Sequence, residues 1–449
     1  MKQHDQSFAE RVNTKMRKSI SVRIITIAVL ILLLLIPVTM IQSLIRERQY
    51  RQQEAFEEVS SSWAHQQTIT GPVLTIPYKS VKKVQNTNNN GYQLVEIVSY
   101  AHFFPKELTI HGNVDPKERY RGIYKVIVYN AQLQISGEFD VPDFKELDIP
   151  LSDVLWERAY VSIGISDVRG IQDNISMQWN SDTLLFDPGL ENTDIFEHGV
   201  SSNVVLPHAH MQGSAWKYSV AINCNGSSRL SFVPLGKTTE VFMNAQWGSP
   251  KFDGSFLPDE RVITNDSVYA HWKVLHLNRP YPQQVTASMY SIEESQFGIT
   301  LKVPVDEYQK SMRSAKYAAL FITLTFLIFF FIQILRKVQI HPIQYIIVGL
   351  ALCVFYTLLI ALSEHIPFAW SYLIASCGVI GLIGMYAYFM FANVRITKLF
   401  VLLLTLLYGF IFTIIQLEDY ALLMGSVGLF VVLAVVMVLS RKIDWYNAE

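Results

Sequence analysis

The sequence predicts a membrane bundle of six transmembrane helices joined to a large extracytoplasmic all-β, sandwich-like domain. Half of the residues are hydrophobic and only 17% are charged, whereas soluble proteins carry about 25% charged residues. The hydrophobic residues are concentrated in one run near the N-terminus and in a long C-terminal stretch. Between these runs, short segments of alternating polarity, rich in β-branched and aromatic residues, are separated by turn residues. That pattern is typical of β-strands.

Apolar runs of sufficient length predict the helices, because a helix needs about 20 apolar residues to cross the hydrocarbon core. The predicted spans are 24–45, 317–335, 343–362, 368–392, 399–416 and 420–440. The first run is longer than the apolar core of a cleavable signal peptide, which has about 7–15 residues. No small-residue cleavage site follows it, so we expect 24–45 to be an uncleaved signal anchor and 317–440 to form a five-helix bundle.

Lysine and arginine in the short loops predict the orientation, because these residues accumulate on the cytoplasmic side. Basic residues follow the second, fourth and sixth spans: Arg336 and Lys337, Arg395 and Lys398, and Arg441 and Lys442. The alternate loops, 363–367 and 417–419, carry no basic residue. We therefore expect 1–23 and 441–449 to be cytoplasmic and 46–316 to be periplasmic, in a multi-pass protein of a bacterial inner (plasma) membrane.

The region 46–316 is long enough for a substantial folded domain. Apolar residues near helical spacing from Tyr50 to Trp63 predict that the first span continues outward as a helical stalk, which Gly71–Pro72 would break. Strands are predicted at 92–104, 107–112, 124–139, 160–165, 174–179, 216–223 and 230–235. Turn signals are predicted at 88–91, 187–189, 225–227 and 253–254. We expect an antiparallel β-sandwich, followed by a second helical stalk that leads into the second span.

Several segments resemble the CreD family of bacterial inner-membrane cell envelope integrity proteins, and the resemblance covers nearly the whole chain. The segments are TGPVLTIPY (70–78), RGIYKV (121–126), GEFDV (137–141), ISDVRGI (165–171), FDGSFLP (252–258), AHW (270–272), KYA (316–318), HPIQY (341–345), YTLLIALSEH (356–365) and IDWY (443–446). The resemblance implies a link to envelope stress, to colicin tolerance and to a two-component regulatory system. The family has no settled biochemical activity, so the resemblance transfers no catalytic residue.

Charged residues at the outer ends of the spans are the first candidates for function. Glu364 and His365 end the third span, and Glu418 and Asp419 lie on the same predicted side. Ionisable groups at membrane depth are often functional, and a carboxylate beside a histidine can transfer protons. A polar loop at the water interface accounts for the same residues, and we favour that interpretation.

His341 and Gln344 are candidates at the cytoplasmic start of the third span. Proline suits the first helical turn, so Pro342 favours a structural entry turn over a binding role for these residues. In the outer region, Arg169 beside Asp167 suggests either an anion site or a local surface pair, and we favour the pair.

Histidines at alternate positions raise the question of a metal site, because alternate residues of a strand share one face. His208 and His210, with His198 nearby, form such a set, but no third ligand is evident, and we favour a plain surface segment. No phosphate-binding loop, dinucleotide fingerprint, nucleophile elbow or HExxH motif is present in the sequence. We therefore expect no cofactor, no metal and no catalytic residue. The net charge of −1 argues against nucleic acid as a partner.

The sequence leads to three hypotheses about function, each of a different class. The favoured one is a non-enzymatic scaffold or binding module, anchored in the lipid bilayer, whose outer domain engages an envelope protein or a cell-wall component. The alternative is lipid or small-molecule handling by the transmembrane bundle, with Glu364 and His365 at its outer mouth. A hydrolase ranks third, because no convincing pair of nucleophile and base is found. The sequence does not predict the oligomeric state.

Overall fold

The computed structural model describes residues 20–85, 92–206, 215–286, 290–301, 307–336, 338–417 and 420–441. The chain divides into two compact units. The membrane unit comprises Met1–Gln52 and Val305–Glu449, and the β unit comprises Gln53–Pro304.

The membrane unit contains the apolar helices. Among the described residues, 6 helices are long and apolar enough to cross a membrane. They are α1 (Ile20–Trp63), α3 (Ala318–Leu335), α4 (Pro342–Ser363), α5 (Phe368–Phe391), α6 (Val394–Gln416) and α7 (Ala421–Ser440), and the short α2 (Glu307–Lys316) precedes α3. Each predicted C-terminal span coincides with one of these helices, and the predicted 24–45 lies inside α1. The predicted helical class is confirmed.

Aromatic rings hold the centre of this bundle together. Tyr408 of α6 lies with its ring centroid 4.6 Å from Phe321 of α3 and 5.0 Å from Phe355 of α4. Such pairs contribute about 0.5–1.5 kcal/mol beyond the burial of their area. The last helix, α7, has no buried residue among those described, and its leucine and valine side chains are the surface that lipid would cover.

The helix that begins in the first span ends before the position at which the sequence predicted a break. α1 continues to Trp63, as expected, but the break predicted at Gly71–Pro72 was wrong, because this dipeptide lies inside the first strand. Beyond Trp63 the backbone forms hydrogen bonds with distant segments of the β unit instead of continuing the helix. His65 N donates to Asp167 Oδ2 at 2.9 Å, and Ser227 N donates to His65 O at 3.1 Å. Tertiary hydrogen bonds, which a local pattern does not encode, therefore set the end of the helix.

The β unit is built from two sheets. The strands are β1 (Gln67–Gln85), β2 (Tyr92–Phe103), β3 (Glu107–Arg121), β4 (Tyr124–Phe139), β5 (Tyr160–Ile165), β6 (Ser176–Trp179), β7 (Asp182–Leu185), β8 (Asp187–Pro188), β9 (Gly199–Asn203), β10 (Trp216–Ser227), β11 (Arg229–Val233), β12 (Thr238–Ala245), β13 (Pro250–Gly254), β14 (Glu260–Ile263), β15 (Val268–Leu275), β16 (Gln284–Val285) and β17 (Phe297–Leu301). Sheet A has the order β13-β17-β11-β1-β5-β9-β8, with β2 on β1 and β16 on β2. Sheet B has the order β14-β15-β12-β3-β4-β10-β6-β7.

The two sheets are mixed rather than purely antiparallel, which corrects one expectation. β1 pairs with β11 in parallel, and β3 pairs with β12 in parallel, whereas the other strand pairs are antiparallel. Parallel pairing needs a long crossover, and partners that lie far apart in sequence leave no local signal. The turn predicted at 225–227 was also wrong, because β10 runs through it and the chain turns at Ser228, whose φ is +62°. The predicted turn at 88–91 lies outside the described residues.

One hydrophobic core receives side chains from both sheets. Trp272 of β15 and Phe297 of β17 are both 0% exposed, and their ring centroids lie 5.7 Å apart. Because β15 belongs to sheet B and β17 to sheet A, this contact joins the two layers. The sandwich-like arrangement that the alternating pattern predicted is confirmed.

A buried histidine makes the stability of the β unit depend on pH. His102 of β2 is 2% exposed, its Nδ1 lies 2.9 Å from Thr75 Oγ1, and its Nε2 lies 3.5 Å from Asp194 Oδ2. Burial lowers the pKa of His102 below its ordinary value of 6.5, and Asp194 only partly opposes that shift. The unfolded chain therefore binds this proton more readily than the folded chain does, and stability is lost as the pH falls below about 6.5.

We expect the unfolding temperature of the full chain to fall between pH 7.5 and pH 5.5, and to fall less in His102→Gln, which cannot be protonated in this range. Thermal unfolding followed by tryptophan fluorescence in lipid nanodiscs measures this difference. Equal pH dependence in both proteins would contradict the assignment to His102.

Candidate functional site

Polar residues of the membrane unit gather around Glu364, which follows the last residue of α4. The Tyr308 hydroxyl donates to Glu364 Oε1 at 3.3 Å, and Arg48 Nε lies 3.5 Å from the same oxygen. The Glu364 side chain is 12% exposed. The Glu364 carboxylate therefore forms an ion pair with Arg48 of α1 and accepts a hydrogen bond from Tyr308 of α2.

The short helix α2 makes further polar contacts with the ends of the bundle helices. Glu307 Oε2 accepts a hydrogen bond from Phe368 N at 3.1 Å, at the start of α5, where backbone donors have no partner within the helix. Ser311 Oγ lies 3.5 Å from Ser363 Oγ. We refer to Arg48, Glu307, Tyr308, Ser311 and Glu364 as the Glu364 cluster. Its contacts join α2 to the end of α4 and to the start of α5, and they join Arg48 of α1 to the Glu364 carboxylate.

The structure does not join Glu364 to its sequence neighbour. His365 is exposed, and within the described residues its side chain makes no hydrogen bond. Glu418 and Asp419 lie outside the described residues. Sequence reasoning singled out Glu364 but not Arg48, Glu307 or Tyr308, because these partners are distant along the chain. A proton-transfer role for the Glu364–His365 pair stays a prediction.

His341 and Gln344 form a capping box at the start of α4. His341 N donates to Gln344 Oε1 at 2.8 Å, and Ile343 N donates to His341 Nδ1 at 3.3 Å. These bonds satisfy backbone groups that the first helical turn leaves unpaired. Both side chains also border a cavity of about 690 Å³ that is lined by Arg23 of α1. A role for either residue in binding stays a prediction.

Replacing Glu364 tests whether its cluster stabilises the bundle. We expect Glu364→Ala to lower the unfolding temperature more than Glu364→Gln, because glutamine keeps an acceptor for Tyr308 and loses only the ion pair. The ion pair itself contributes about 0–1 kcal/mol. Labelling of Cys353, which is buried in α4, by a thiol-reactive dye in a Cys224→Ala/Cys377→Ala background reports unfolding of the bundle.

Glu47→Ala is the matched control, because Glu47 loses only an exposed pair with Arg51 at 3.3 Å on α1. If Glu364→Ala and Glu47→Ala unfold at the same temperature, the Glu364 cluster does not stabilise the bundle.

A second candidate lies in the β unit, on the face of sheet B that points away from the core. Strand register places the residues of this face in rows across five strands. One row contains His271, Phe242, His111, Gln134 and Ala221. The adjacent row contains Tyr269, Asn244, Asn113, Gln132 and Asn223. One half of this face therefore presents aromatic rings, and the other half, the amide half, presents side-chain amides.

A groove of about 520 Å³ runs over the amide half of this face. We call it the amide groove; it is lined by His111, Gly112, Asn113, Gln132, Leu133, Gln134, Asp173, Asn174, Ser176, Ala221, Ile222, Asn223 and Asn244. One part is held rigidly: Asn130 Nδ2 donates to Asn223 Oδ1 at 2.8 Å, and Asn223 Nδ2 donates to Asp173 Oδ2 at 2.8 Å. In the part of the chain that the structure describes, the amides of Asn113, Gln132 and Asn244 have no hydrogen-bond partner.

Three rings stack on this face of sheet B, and the ring at one end of the stack, His111, lines the groove. The ring of His111 stacks on Phe242 at 4.8 Å with an interplanar angle of 10°, and Phe242 stacks on His271 at 4.3 Å and 4°. Sequence reasoning identified β3 and β4 as strands but did not assign this face. The signal was present as alternate residues, H-x-N in β3, Q-x-Q in β4 and F-x-N in β12, but only the parallel pairing of β3 with β12 brings them together.

Metal ligands are not clustered in the described ranges, which contain no group of three or more His, Cys, Asp and Glu that could hold an ion. His198 is exposed in the β unit. His208 and His210 lie outside the described residues. Asp167 and Arg169 form the local pair that the sequence suggested, with Arg169 Nη2 2.7 Å from Asp167 Oδ2.

A family model and a relative both match nearly the whole chain. A family model described as “Inner membrane protein CreD” matches residues 19–446. The chain is 33% identical over 421 residues to “Inner membrane protein CreD” of Escherichia coli (strain K12), which covers 93% of this chain and 91% of that protein. Crystal structures of an M1 zinc metallopeptidase from Deinococcus radiodurans match 38% of each chain at 10% identity, with a TM-score of 0.18. A likeness at that TM-score does not establish a shared fold.

Proposed function

The chain belongs to the CreD family of inner membrane proteins, and on that premise we propose that it is a membrane-anchored binding module without enzymatic activity. Its β unit would engage a component of the cell envelope, and its helices would hold that unit at the bilayer. The amide groove is the observation that carries this proposal. Unpartnered polar side chains gathered on one face are free to bind another molecule, whereas the core side of the same sheet is closed by packing.

The orientation of the chain in the membrane is part of the proposal. Basic residues in alternate loops support cytoplasmic termini and a periplasmic β unit. A reporter that is active only in the cytoplasm should be active when fused after Val338, between α3 and α4, and inactive when fused after Ile366, between α4 and α5. The opposite pattern would place the β unit in the cytoplasm and overturn the proposed partner class.

Photocrosslinking in cells tests the binding role directly. A photoreactive amino acid at Asn244, on the rim of the amide groove, should capture an identifiable protein or wall component of the envelope reproducibly. The same amino acid at Gln178, which is exposed on β6 of the same sheet, is the matched control. Capture of nothing from either position, by protein that is folded and inserted, would contradict a binding role for this face.

The role in envelope integrity is the broader proposal, and it rests on family membership. We propose that the protein acts under envelope stress and affects tolerance to colicins. A deletion strain should change its colicin sensitivity, and the full chain should restore it. A chain with the double substitution Asn113→Ala/Gln132→Ala should fail to restore it if the amide groove carries the function.

The second candidate function is lipid or small-molecule handling by the bundle. An apolar groove of about 410 Å³ favours it; this groove lies between α5 and α6 and is lined by residues that include Trp370, Tyr372, Tyr408 and Phe412. Acyl chains fit such a surface. If the double substitution Glu364→Ala/His365→Ala restores a deletion strain fully, the proposed outer mouth has no role in this activity.

A further inference from the structure

We propose that the amide groove binds a neutral oligosaccharide strand. This inference rests on the proposed function, because it names the chemical class of the envelope component that the β unit would engage. The groove volume of about 520 Å³ lies within the range of about 300–1,000 Å³ that is usual for ligand sites. The hydrogen-bonding groups of the groove, the ring of His111 and the absence of lysine and arginine from its described lining support a neutral sugar.

The hydrogen-bonding groups form a line across the sheet. Asn113, Gln132 and Asn244 are exposed and occupy one cross-strand row on β3, β4 and β12. Each amide offers two donors and one carbonyl acceptor, and adjacent strands lie about 4.8 Å apart. The row therefore presents donors and acceptors at regular intervals. A chain of sugar rings, each with hydroxyl groups that both donate and accept, matches this pattern.

The far end of the same row is already ordered. Asn223 is held by Asn130 on one side and by Asp173 on the other, both at 2.8 Å. A side chain that is fixed before binding loses little conformational entropy when a ligand arrives. The Asp173 carboxylate is exposed at this end and retains acceptor capacity for a hydroxyl group.

The ring of His111 supplies a wall for the less polar face of a sugar. One face of this ring is covered by Phe242, which is in turn backed by His271. His111 lines the groove, and Gln134 and the small side chain of Ala221 follow it in the same cross-strand row. The C–H groups on one side of a pyranose ring pack against an aromatic face, while its hydroxyl groups point outward to the amides.

Charge and backbone bonding exclude other ligand classes. No lysine or arginine is among the described residues that line the groove, so phosphate, nucleic acid and acidic polymers find no counter-charge there. An extended peptide usually binds by adding a strand to a sheet edge, whereas β3, β4 and β10 are bonded on both sides within sheet B. An apolar ligand would remove water from the amides without replacing its hydrogen bonds. A neutral sugar polymer satisfies all three conditions.

Titration of the full chain in lipid nanodiscs tests the inference, with cellotetraose and tetra-N-acetylchitotetraose as neutral probes and tetragalacturonic acid as the acidic control. We expect at least one neutral tetrasaccharide to bind and the acidic one not to bind. Loss of one amide should weaken binding about fivefold, since a hydrogen bond contributes about 1 kcal/mol. Asn113→Ala/Gln132→Ala should therefore weaken it about 25-fold, and Gln178→Ala should leave it unchanged.

A second variant tests the groove by filling it with a larger side chain. Ala221→Trp would fill the space beside His111 and should abolish binding while every amide remains. Failure of both neutral probes to bind, or binding that both groove variants leave intact, would overturn the inference. If the probes fail but photocrosslinking at Asn244 still captures an envelope component, only the ligand class is wrong; if both fail, the proposed function falls as well.

Discussion

Gln67→Leu is expected to destabilise the β unit by about 3–5 kcal/mol, because this fully buried amide joins three separate segments. Gln67 Nε2 donates to Asp167 O at 2.8 Å and to Asn225 O at 2.9 Å. Its Oε1 accepts from Asp167 N at 3.2 Å. Leucine has a similar volume but no polar atom, so these three hydrogen bonds of the buried amide would be lost, and Asp167 O would keep only the bond from Gly170 N at 3.1 Å.

The thiol of Cys224 provides the measurement. Burial raises the pKa of Cys224 to about 12, so the reactive thiolate is scarce until the β unit unfolds. In a Cys353→Ala/Cys377→Ala background, the temperature of dye labelling reports this unit alone. A domain of this size loses about 2–4 °C per kcal/mol, and a decrease of about 10 °C is expected for Gln67→Leu. Gln178→Leu, an exposed glutamine on sheet B, is the control and should change little.

An unchanged labelling temperature for Gln67→Leu would mean that the buried carbonyl groups find other partners. The result would then contradict the view that Gln67 links sheet A, through β1, to sheet B, through β10. It would also weaken the account of the segment 165–171, whose Asp167 shares these bonds. The Arg169 guanidinium lowers the pKa of Asp167 to about 2, so this carboxylate stays charged at every pH at which the experiment is practical.

Periodicity in the sequence predicted the helices well because lipid imposes a simple constraint. A span must be long, apolar and helical, and each of these properties is local. The same logic located β4 and β5 from alternation or from their β-branched and aromatic residues. It failed at Gly71–Pro72 and at Asn225, where hydrogen bonds from distant segments decide whether the backbone turns. The end of α1 depends on Asp167, about a hundred positions away.

The candidate sites show the same difference between local features, which the sequence predicts, and contacts between distant segments, which it does not. Glu364 was predicted because charge at the end of an apolar run is a local anomaly, but Tyr308 and Arg48 could not be paired with it from spacing. The amide groove was not predicted at all. Its residues are ordinary polar positions on each strand, and their convergence depends on the parallel pairing of Asn244 with Asn113. A parallel pair has no turn to mark it in the sequence.

Arg279 is the second residue at which a large effect is expected, because it is a buried cation whose side chain has no carboxylate partner within the described residues. It is 7% exposed. Its Nη1 donates to Tyr281 O at 2.6 Å, and its Nη2 donates to Leu235 O at 3.0 Å and to Gln283 Oε1 at 2.6 Å. The guanidinium carbon lies 4.2 Å from the ring centroid of Tyr281 and 5.8 Å from that of Phe104.

These contacts require a planar donor. Burial lowers the pKa of Arg279 to about 10, so the group stays cationic at neutral pH and must be stabilised by dipoles and ring faces. A lysine ammonium is more strongly hydrated, has fewer donors and cannot stack. We therefore expect Arg279→Lys to lower stability by about 3 kcal/mol or more, since a buried charge would lose much of its solvation.

Arg279→Met tests the effect of the buried charge on stability separately from the effect of side-chain volume. Methionine fills similar space and leaves the carbonyl groups without their donor, but it buries no charge, and replacing buried charge by apolar volume is often tolerated. Stability should therefore decrease in the order Arg, Met, Lys, measured by the labelling temperature of Cys224 in the same single-cysteine background. A lysine variant as stable as the natural chain would show that position 279 needs only a positive charge, and that the fork of donors over Tyr281 does not order this part of the β unit.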